Sequence, residues 1–313
     1  MRILVVASFN HGSFAPFVVE QAAALRAAGC EVRLFGLQGK GFQGYLKNLP
    51  ALKSDIKAFR PDVVHAHYGL SGLFANLQRQ APVVTTYHGS DINDKDVLRF
   101  STMAMNLSAW NVFVSKKTLD IAQPKKRFSL LPCGVDFNEL QLTLRDEARQ
   151  KMNLYEGKKY ILFAGAFDNG VKNAPLAYQT VTELKSNGVE LLELKGYTRD
   201  EVTLLMCAAD AFLMTSLTEG SPQVVKEAMA CGCPIVSVDV GDVKERTDGV
   251  EGCFVAKSRE PQELAGLLRK AMRFEGKTKG REKIIAEGLD NELVAKSIMQ
   301  IYNGIIYVTA EAR

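Results

Sequence analysis

The stretch that decides the fold is RILVVASFNHGSFAPFVVEQAAALRAAGCEVRLFGL, residues 2–37. Its two ends, residues 2–8 and 31–37, are short runs rich in apolar residues, which is typical of strands buried within a sheet. Residues 16–29 between them have the pattern of a helix. A strand, a helix and a second strand in this order predict a βαβ unit with parallel strands.

The same alternation continues along the chain and then starts again after the segment LLPCGVDFNEL. In the first half we predict further strands at 62–68, 82–88 and 110–115, and helices at 46–59 and 72–80. In the second half we predict strands at 159–165, 189–194, 211–216, 234–239 and 252–256, with helices between them. A Thr-x-x-Glu sequence at Thr198 and Glu201 predicts a capping box for the helix near 199–208. The pattern therefore predicts an α/β protein with two Rossmann-like, doubly wound parallel-sheet domains, at 1–145 and 146–290.

The remaining segment, 291–313, is predicted to form a helix that packs back on the body of the protein. Its apolar residues fall on one helical stripe, made of Leu293, Val294, Ile298, Ile301 and Ile305.

Length and composition restrict the class of protein. The chain has 313 residues, of which 47% are hydrophobic and 24% charged, as in ordinary globular proteins. Residues 1–147 carry 17 Lys and Arg against 12 Asp and Glu, a net charge of +5, and the remainder carries 22 against 23. The apolar run after Arg2 is too short for a secretory signal, and no run approaches the ~20 residues of a membrane span. Because the six cysteines lack the spacing of a disulfide scaffold, we expect reduced thiols in a cytoplasmic protein.

The segment TEGSPQVVKEAMACGCP, residues 218–234, places one carboxylate before a helix and another inside it. We predict that Ser221 caps this helix, with Pro222 at its first position, and that Gly232 and Pro234 end it. Glu219 then lies at a helix N-terminus, where free N–H groups attract anions. Glu227 lies roughly 1.5 turns further on. This arrangement suits a ligand that carries both phosphate and hydroxyl groups.

Ligands of open α/β sheets bind beyond the carboxyl ends of the strands. The polar or Gly-rich segments at these ends are 10–12, the histidines 65 and 67, 88–91, 165–172 and 216–222. They predict a cleft between two facing domains.

Four segments carry a resemblance to a known family. TSLTEGSPQVVKEAMACGCPIVS (215–237) resembles the Glu-x7-Glu motif of the family-4 retaining glycosyltransferases, which have the GT-B architecture of two facing Rossmann-like domains. TYHGSDIN (86–93) resembles the family's His-Gly-x-Asp segment, and PDVVHAHYG (61–69) and LLPCGVDF (130–137) are also similar to its sequences. The resemblance covers most of the chain and implies an acceptor-side first domain and a nucleotide-sugar-binding second domain.

The resemblance also implies roles for individual residues. Glu219 and His88 would contact the donor sugar, and Glu227 would bind the hydroxyl pair of the nucleotide ribose. The turn beside the sugar would be lined by Gly220, Ser221, Pro222 and Gln223. The nucleobase would lie near Gly196 and Tyr197, and His11 with Gly12 would approach either the phosphates or the acceptor.

One departure from the family concerns FAGAFDNGVKNAPLAY (163–178), which resembles its Gly-Arg…Lys segment. Lys172 matches the lysine, but Ala166 stands at the arginine position. In the family both cations neutralise the leaving diphosphate. Here Lys172 would act with backbone N–H groups, or another cation would substitute.

Three further patterns have ordinary interpretations. GKGFQG (39–44) matches G-x-G-x-x-G but follows the second strand rather than the first, and we interpret it as a flexible loop. DKD (94–96) starts a helical stretch, lacks other hard ligands and is interpreted as surface charge. A zinc site of His65, His67 and His88 is conceivable, but the sequence shows no pattern of groups that would orient these ligands, and we predict no metal.

We therefore expect a metal-independent glycosyltransferase that moves a sugar, with retention, from a nucleotide-sugar donor to a hydroxyl acceptor. The nucleotide sugar is a co-substrate, so no cofactor is expected. The expected acceptor is a glycan or lipid-linked glycan of polysaccharide biosynthesis, and no nucleic-acid partner is expected. A nucleotide-sugar epimerase and a non-catalytic nucleotide-sugar binding protein are the alternatives. The basic first half further predicts weak contact with an anionic membrane surface.

Overall fold

The computed structural model describes residues 1–311, with side chains up to residue 308. The chain forms two compact units. The first consists of Met1–Gly134 together with the chain from Asn291 onward, and the second is Val135–Asp290. The expected boundary after residue 145 thus falls inside the second unit. Val135 and Leu140 are buried in the second unit's core, and Val135 forms a β-bridge with Asp290.

The first unit, within its described residues, contains a six-stranded parallel sheet. Its strands are β1 (Arg2–Ser8), β2 (Glu31–Leu37), β3 (Val63–His67), β4 (Val83–Tyr87), β5 (Trp110–Phe113) and β6 (Phe128–Leu130). Its helices before residue 134 are α1 (Pro16–Ala27), α2 (Gly41–Leu46), α3 (Leu49–Phe59), α4 (Gly69–Asn76), α5 (Ser90–Asn93), α6 (Lys95–Leu107) and α7 (Lys116–Ala122). The strand order is β2-β1-β3-β4-β5-β6, so β1 pairs with β2 on one side and with β3 on the other.

The second unit, whose residues are all described, contains a five-stranded parallel sheet. Its strands are β7 (Lys159–Phe163), β8 (Val189–Leu192), β9 (Ala211–Met214), β10 (Ile235–Val238) and β11 (Cys253–Ala256). Its α-helices are α8 (Arg145–Lys151), α9 (Ala174–Thr182), α10 (Arg199–Ala208), α11 (Gln223–Ala230), α12 (Val243–Thr247), α13 (Pro261–Ala271) and α14 (Gly280–Ala286). The strand order is β11-β10-β9-β7-β8, with β7 and β9 adjacent.

The last helix, α15 (Asn291–Glu311), belongs to the first unit. Val294, Ile298 and Ile305 are buried in the same cluster as β1, as the apolar stripe predicts. Leu293 is an exception, since it is 45% exposed, and the buried Tyr302 extends the stripe instead. None of the helices within the described residues is long and apolar enough to cross a membrane.

The sequence predicted the regular elements well, with identifiable errors. All ten predicted strands are present, and the capping box of Thr198 and Glu201 forms at the start of α10. The strand β6 was missed because it is only three residues long and lies at a sheet edge, where no buried apolar run is needed. The predicted flexible loop at 39–44 is wrong. Gly44 lies inside α2 rather than in a loop. It packs closely against Gly39, because a Cβ on Gly44 would lie 2.7 Å from the carbonyl carbon of Gly39.

Candidate functional site

The strand order of the second sheet changes direction at one point, which is where open α/β sheets have a crevice for ligands. Strands β7 and β9 are neighbours, but the chain leaves them toward β8 on one side and β10 on the other. The loops that follow two such strands diverge and leave a space between them at the carboxyl ends of the strands. These loops carry Lys172 after β7 and Glu219 after β9.

Lys172, expected to neutralise the leaving diphosphate, and Glu219, expected to contact the donor sugar, are in direct contact. The Lys172 Nζ donates to Glu219 Oε1 at 2.8 Å, and the two side chains are 20% and 16% exposed. Gly165 leaves room for the aliphatic part of the lysine, because a Cβ there would lie 2.8 Å from Lys172 Cγ. The Thr215 hydroxyl donates to the Lys172 carbonyl at 2.9 Å, which ties the two loops together. The strands therefore present a cation and an anion as a fixed pair.

The predicted turn of Gly220, Ser221, Pro222 and Gln223 lies in the connection between β9 and α11, and Gln223 is the first residue of the helix. The prediction that Ser221 caps α11 is wrong. The helix begins at Gln223 with Pro222 as its N-cap, and the Ser221 hydroxyl instead donates to Asp242 Oδ2 at 2.8 Å. Asp242 is buried, and this burial raises the pKa of its carboxyl. The loop after β10 thus stabilises the turn that precedes α11.

Close backbone packing fixes this support. Gly241 has φ +58°, and a Cβ there would lie 2.6 Å from the Gly220 carbonyl oxygen. Only glycine fits such a left-handed position at this distance.

Glu227 lies on α11 and is only 4% exposed. Its Oε1 is 2.8 Å from Nη2 of Arg199, the first residue of α10. The two residues just before the capping box are Gly196, with φ +85°, and Tyr197, which is 40% exposed. The predicted ribose-binding carboxylate is therefore linked by Arg199 to the segment predicted to hold the base. Arg199 was not predicted as a site residue from the sequence, although the capping box placed it at the start of α10.

Ala166 leaves the arginine position without a charge, but another guanidinium lies at the end of β9. Arg259 donates to the Ser216 carbonyl at 2.8 Å and to the Thr215 carbonyl at 3.2 Å. The sequence analysis missed this residue because it is far along the chain, just before α13.

The first unit has its own crevice, between β1 and β3. Gly12, in the loop after β1, is exposed and has φ +75°. The loop is tied to the one after β2 by Asn10, whose side-chain amide donates to the Gly39 carbonyl at 3.1 Å and accepts from the Gly39 N–H at 2.8 Å.

His88 directly follows β4, and Asp91 fixes its backbone. The Asp91 carboxylate accepts the N–H groups of His88 at 3.0 Å, Gly89 at 2.9 Å and Gly69 at 2.9 Å. Burial raises the pKa of the Asp91 carboxyl to about 6, while these backbone hydrogen bonds oppose the rise. Asp91 therefore joins the loops after β3 and β4.

The three histidines considered for zinc form a stack rather than a metal site. Their ring centroids are 4.8 Å apart between His65 and His67, and 5.2 Å apart between His67 and His88. His65 is hydrogen-bonded by both ring nitrogens, to Tyr302 and Thr86. Among the residues with described side chains, no group of three or more His, Cys, Asp or Glu is arranged to hold a metal ion.

Comparison with known families gives two matches. Residues 15–139 match the model described as Glycosyltransferase Family 4, and residues 162–273 match the model described as Glycosyl transferases group 1. The first match lies mainly in the first unit and the second lies within the second unit.

Two curated relatives have similar sequences. TuaC of Bacillus subtilis, named as a glycosyltransferase of teichuronic acid biosynthesis, is 26% identical over 66% of this chain and 60% of its own length. The amylovoran biosynthesis glycosyltransferase AmsK of Erwinia amylovora is 25% identical over 76% of this chain and 68% of its own length. The alignment thus spans less than two thirds of TuaC.

Solved structures match nearly the whole chain in fold. Sucrose-phosphate synthase of Thermosynechococcus elongatus has a TM-score of 0.82 at 16% identity, covering 98% of this chain and 100% of that one. Anabaena Alr3699/HepE in complex with UDP has a TM-score of 0.76 at 16% identity, covering 97% and 100%. UDP-GlcNAc 2-epimerase of Methanocaldococcus jannaschii has a TM-score of 0.63 at 14% identity, covering 97% and 99%. Each of the two parallel-sheet units is thus matched by a glycosyltransferase model, and the fold of the chain is that of these solved structures.

Proposed function

We propose that the protein transfers a sugar, with retention of configuration, from a nucleoside-diphosphate sugar to a hydroxyl group of a glycan or lipid-linked glycan. The observation that carries this proposal is the Lys172–Glu219 pair at the crevice of the second unit. The lysine can donate hydrogen bonds to a phosphate, and the glutamate can accept hydrogen bonds from sugar hydroxyls.

Lys172 would serve the departing diphosphate. In an oxocarbenium-like transition state most of the new negative charge develops on the leaving group, so a positioned cation lowers the barrier. Without ligand, Glu219 neutralises this lysine at 2.8 Å. A bound donor would let Nζ contact the phosphate, while the Glu219 carboxylate accepts sugar hydroxyls. The N-terminal turn of α11 would add backbone N–H groups.

Glu227 would bind the ribose. Arg199 occupies one side of its Oε1, but a carboxylate has about four acceptor positions, so two hydroxyl donors still fit. The ion pair also holds the carboxylate in place before the nucleotide arrives. Gly196 and Tyr197 would then lie beside the base.

The nature of the donor and acceptor is proposed from the relatives. HepE is a UDP complex, which makes a UDP-sugar the first donor to test. TuaC and AmsK are named for teichuronic acid and amylovoran biosynthesis, which favours a growing or lipid-linked glycan as acceptor. His88 and Gly12 of the first unit are assigned to the sugar and to the phosphates or acceptor, respectively.

An epimerase is the second candidate, since the fold is also that of UDP-GlcNAc 2-epimerase. A non-catalytic binding protein is the third, because Ala166 removes one expected cation.

A two-stage experiment separates these candidates. A thermal-shift screen of UDP, GDP, ADP and CMP identifies the nucleotide, and the matching labelled nucleotide sugars are then incubated with and without glycan acceptors. Transfer that depends on acceptor, with the donor's anomeric configuration in the product, is the expected result. An altered nucleotide sugar formed without acceptor would indicate an epimerase. Binding without any turnover across the acceptor panel would indicate a binding protein.

A further inference from the structure

The stacked histidines extend from the core of the first unit to its predicted active-site residue. His65 and His67 project from the same side of β3, and His88 follows the neighbouring strand β4. The planes are nearly parallel, at 17° between the first two rings and 26° between the second two. His65 and His67 are 0% and 1% exposed, so bulk solvent does not reach their ring nitrogens.

His65 is fixed at the inner end of the stack. Its Nδ1 is 2.5 Å from the hydroxyl of Tyr302 on α15, and its Nε2 is 2.7 Å from Thr86 Oγ1. Burial lowers the pKa of His65 well below the ordinary value, so this ring is neutral. It provides a rigid surface against which His67 stacks.

His67 has one hydrogen-bonded nitrogen and one without a partner. Its Nδ1 is 3.0 Å from His88 Nε2, whereas its Nε2 is buried and has no hydrogen-bond partner in the described part of the chain. Burial lowers the pKa of His67 to about 3, so the ring carries a single proton at neutral pH. A proton on Nε2 would be an orphaned buried N–H, which is rare in native proteins. The proton therefore belongs on Nδ1, where it is donated to His88.

We propose that His67 is a positioning residue that holds His88 in the tautomer protonated on Nδ1, by donating its own Nδ1 proton to His88 Nε2. His88 then meets its ligand as a neutral hydrogen-bond donor through Nδ1. The catalytic meaning of this inference depends on the proposed function, but the tautomer itself does not.

The same hydrogen bond disfavours a positively charged His88. Protonation would put an N–H on both nitrogens of His88. The Nδ1 of His67 would then have to accept a hydrogen bond from His88 Nε2, and the His67 proton would have to move to its own Nε2, which has no partner in the described part of the chain. The hydrogen bond from His67 therefore stabilises the neutral His88 ring relative to the charged ring.

Other groups surround the His88 ring and are unchanged by a substitution at His67. Phe17 and Tyr68 pack against it with centroid distances of 4.5 and 4.7 Å, and the Cys133 Sγ is 4.0 Å from Nδ1. Asp91 receives the backbone N–H of His88, and its negative charge favours the protonated ring. Comparing variants at His67 alone therefore isolates the contribution of this hydrogen bond.

The test is nitrogen-15 NMR of histidine rings in the full chain, which has four histidines. In the wild-type protein we expect the His88 signals of a neutral ring protonated on Nδ1. His67→Phe keeps a stacking ring without the donor, and it should raise the His88 pKa by about one unit and move the neutral ring toward the Nε2–H tautomer. His67→Asn, whose amide can replace the Nδ1–H donor, should retain the wild-type behaviour.

Activity provides the second readout. If neutral His88 is required, the acid limb of the pH–rate profile should move to higher pH in His67→Phe by the same amount, with about a tenfold loss below it. A wild-type His88 protonated on Nε2, or a titration unchanged in a folded His67→Phe protein, would overturn the inference. The wild-type spectrum decides even if this variant does not fold. Absence of any transferase activity would contradict the proposed function but leave the spectroscopic result valid.

Discussion

Replacing Glu227 by alanine tests the assignment of the second unit most directly. The side chain is almost fully buried on α11, and its Oε1 is 2.8 Å from the Arg199 guanidinium. In the proposed complex this carboxylate also accepts the ribose hydroxyls. The variant loses these charge-assisted hydrogen bonds, which contribute about 1–3 kcal/mol. We therefore expect the Kd for the preferred nucleoside diphosphate to rise roughly 5- to 150-fold.

Protein stability must be separated from ligand affinity in this variant. Losing the carboxylate also breaks the ion pair, but Arg199 is 36% exposed and can be hydrated, so we expect a stability loss of only about 1 kcal/mol. Glu190→Ala is the matched control, because it breaks an exposed ion pair with Lys158 in the same unit. Arg199→Ala removes the other partner and leaves the carboxylate that would bind the ribose.

Isothermal titration calorimetry with the free nucleotide measures the affinity at a temperature where every variant is folded. The expected order is wild-type affinity for Glu190→Ala, a smaller loss for Arg199→Ala and the largest loss for Glu227→Ala. An unchanged Kd in folded Glu227→Ala protein would remove this residue from the site. A larger loss in Arg199→Ala would assign the main nucleotide contact to the arginine instead.

Three other predictions concern the reaction and the surface. Glu219→Ala should leave free-nucleotide binding intact but reduce transfer at least about 100-fold, since its proposed partner is the sugar; wild-type turnover would refute this role. Transfer should persist in excess EDTA because a cation and a helix N-terminus meet the phosphate charge, and a loss restored by added Mg²⁺ or Mn²⁺ would contradict it. The protein should co-sediment weakly with anionic vesicles at low salt and not at high salt. Replacing the exposed Lys125, Lys126 and Arg127 by Glu should abolish this binding. If the wild-type protein does not bind at low salt, the membrane contact is excluded.

The vesicle prediction does not depend on helix α3. The lysine-flanked helix α3 buries Leu52, Ile56 and Phe59 against the sheet, so its apolar stripe is not available to a membrane. The surface around Lys125, Lys126 and Arg127 is different. Beside it, Ile121 and Phe128 are 45% and 40% exposed, which provides apolar contact next to the charge.

The sequence predicted the fold because each strand leaves its own local pattern. Apolar runs, the capping box at Thr198 and the Gly232 helix end are all decided by residues within a few positions of one another. The rule that ligands bind at strand ends then selected Glu219, Lys172 and His88 without knowledge of the strand order. Local patterns could not show which of these loops are neighbours, since adjacency of β7 and β9 is a property of the whole sheet.

The contacts that the sequence did not predict join residues that are distant along the chain. Ser221 donates its hydroxyl proton to Asp242, 21 residues further along the chain, and the N-cap of α11 is Pro222. Arg199 pairs with Glu227, and His65 with Tyr302, through contacts that no sequence spacing encodes. Positions at strand ends can be predicted locally, but the partners that set their charge and orientation cannot.

This distinction bears on the missing arginine at Ala166. The unliganded Lys172–Glu219 pair sums to zero charge, so it is stable without a second cation. A diphosphate would draw Lys172 away and leave Glu219 to the sugar, and the remaining phosphate charge would need another donor. Arg259 is held at the end of β9 by the carbonyls of Thr215 and Ser216, which places a guanidinium next to the loop that carries Glu219. We therefore propose Arg259, from a distant segment of the chain, as the cation that the local motif lacks.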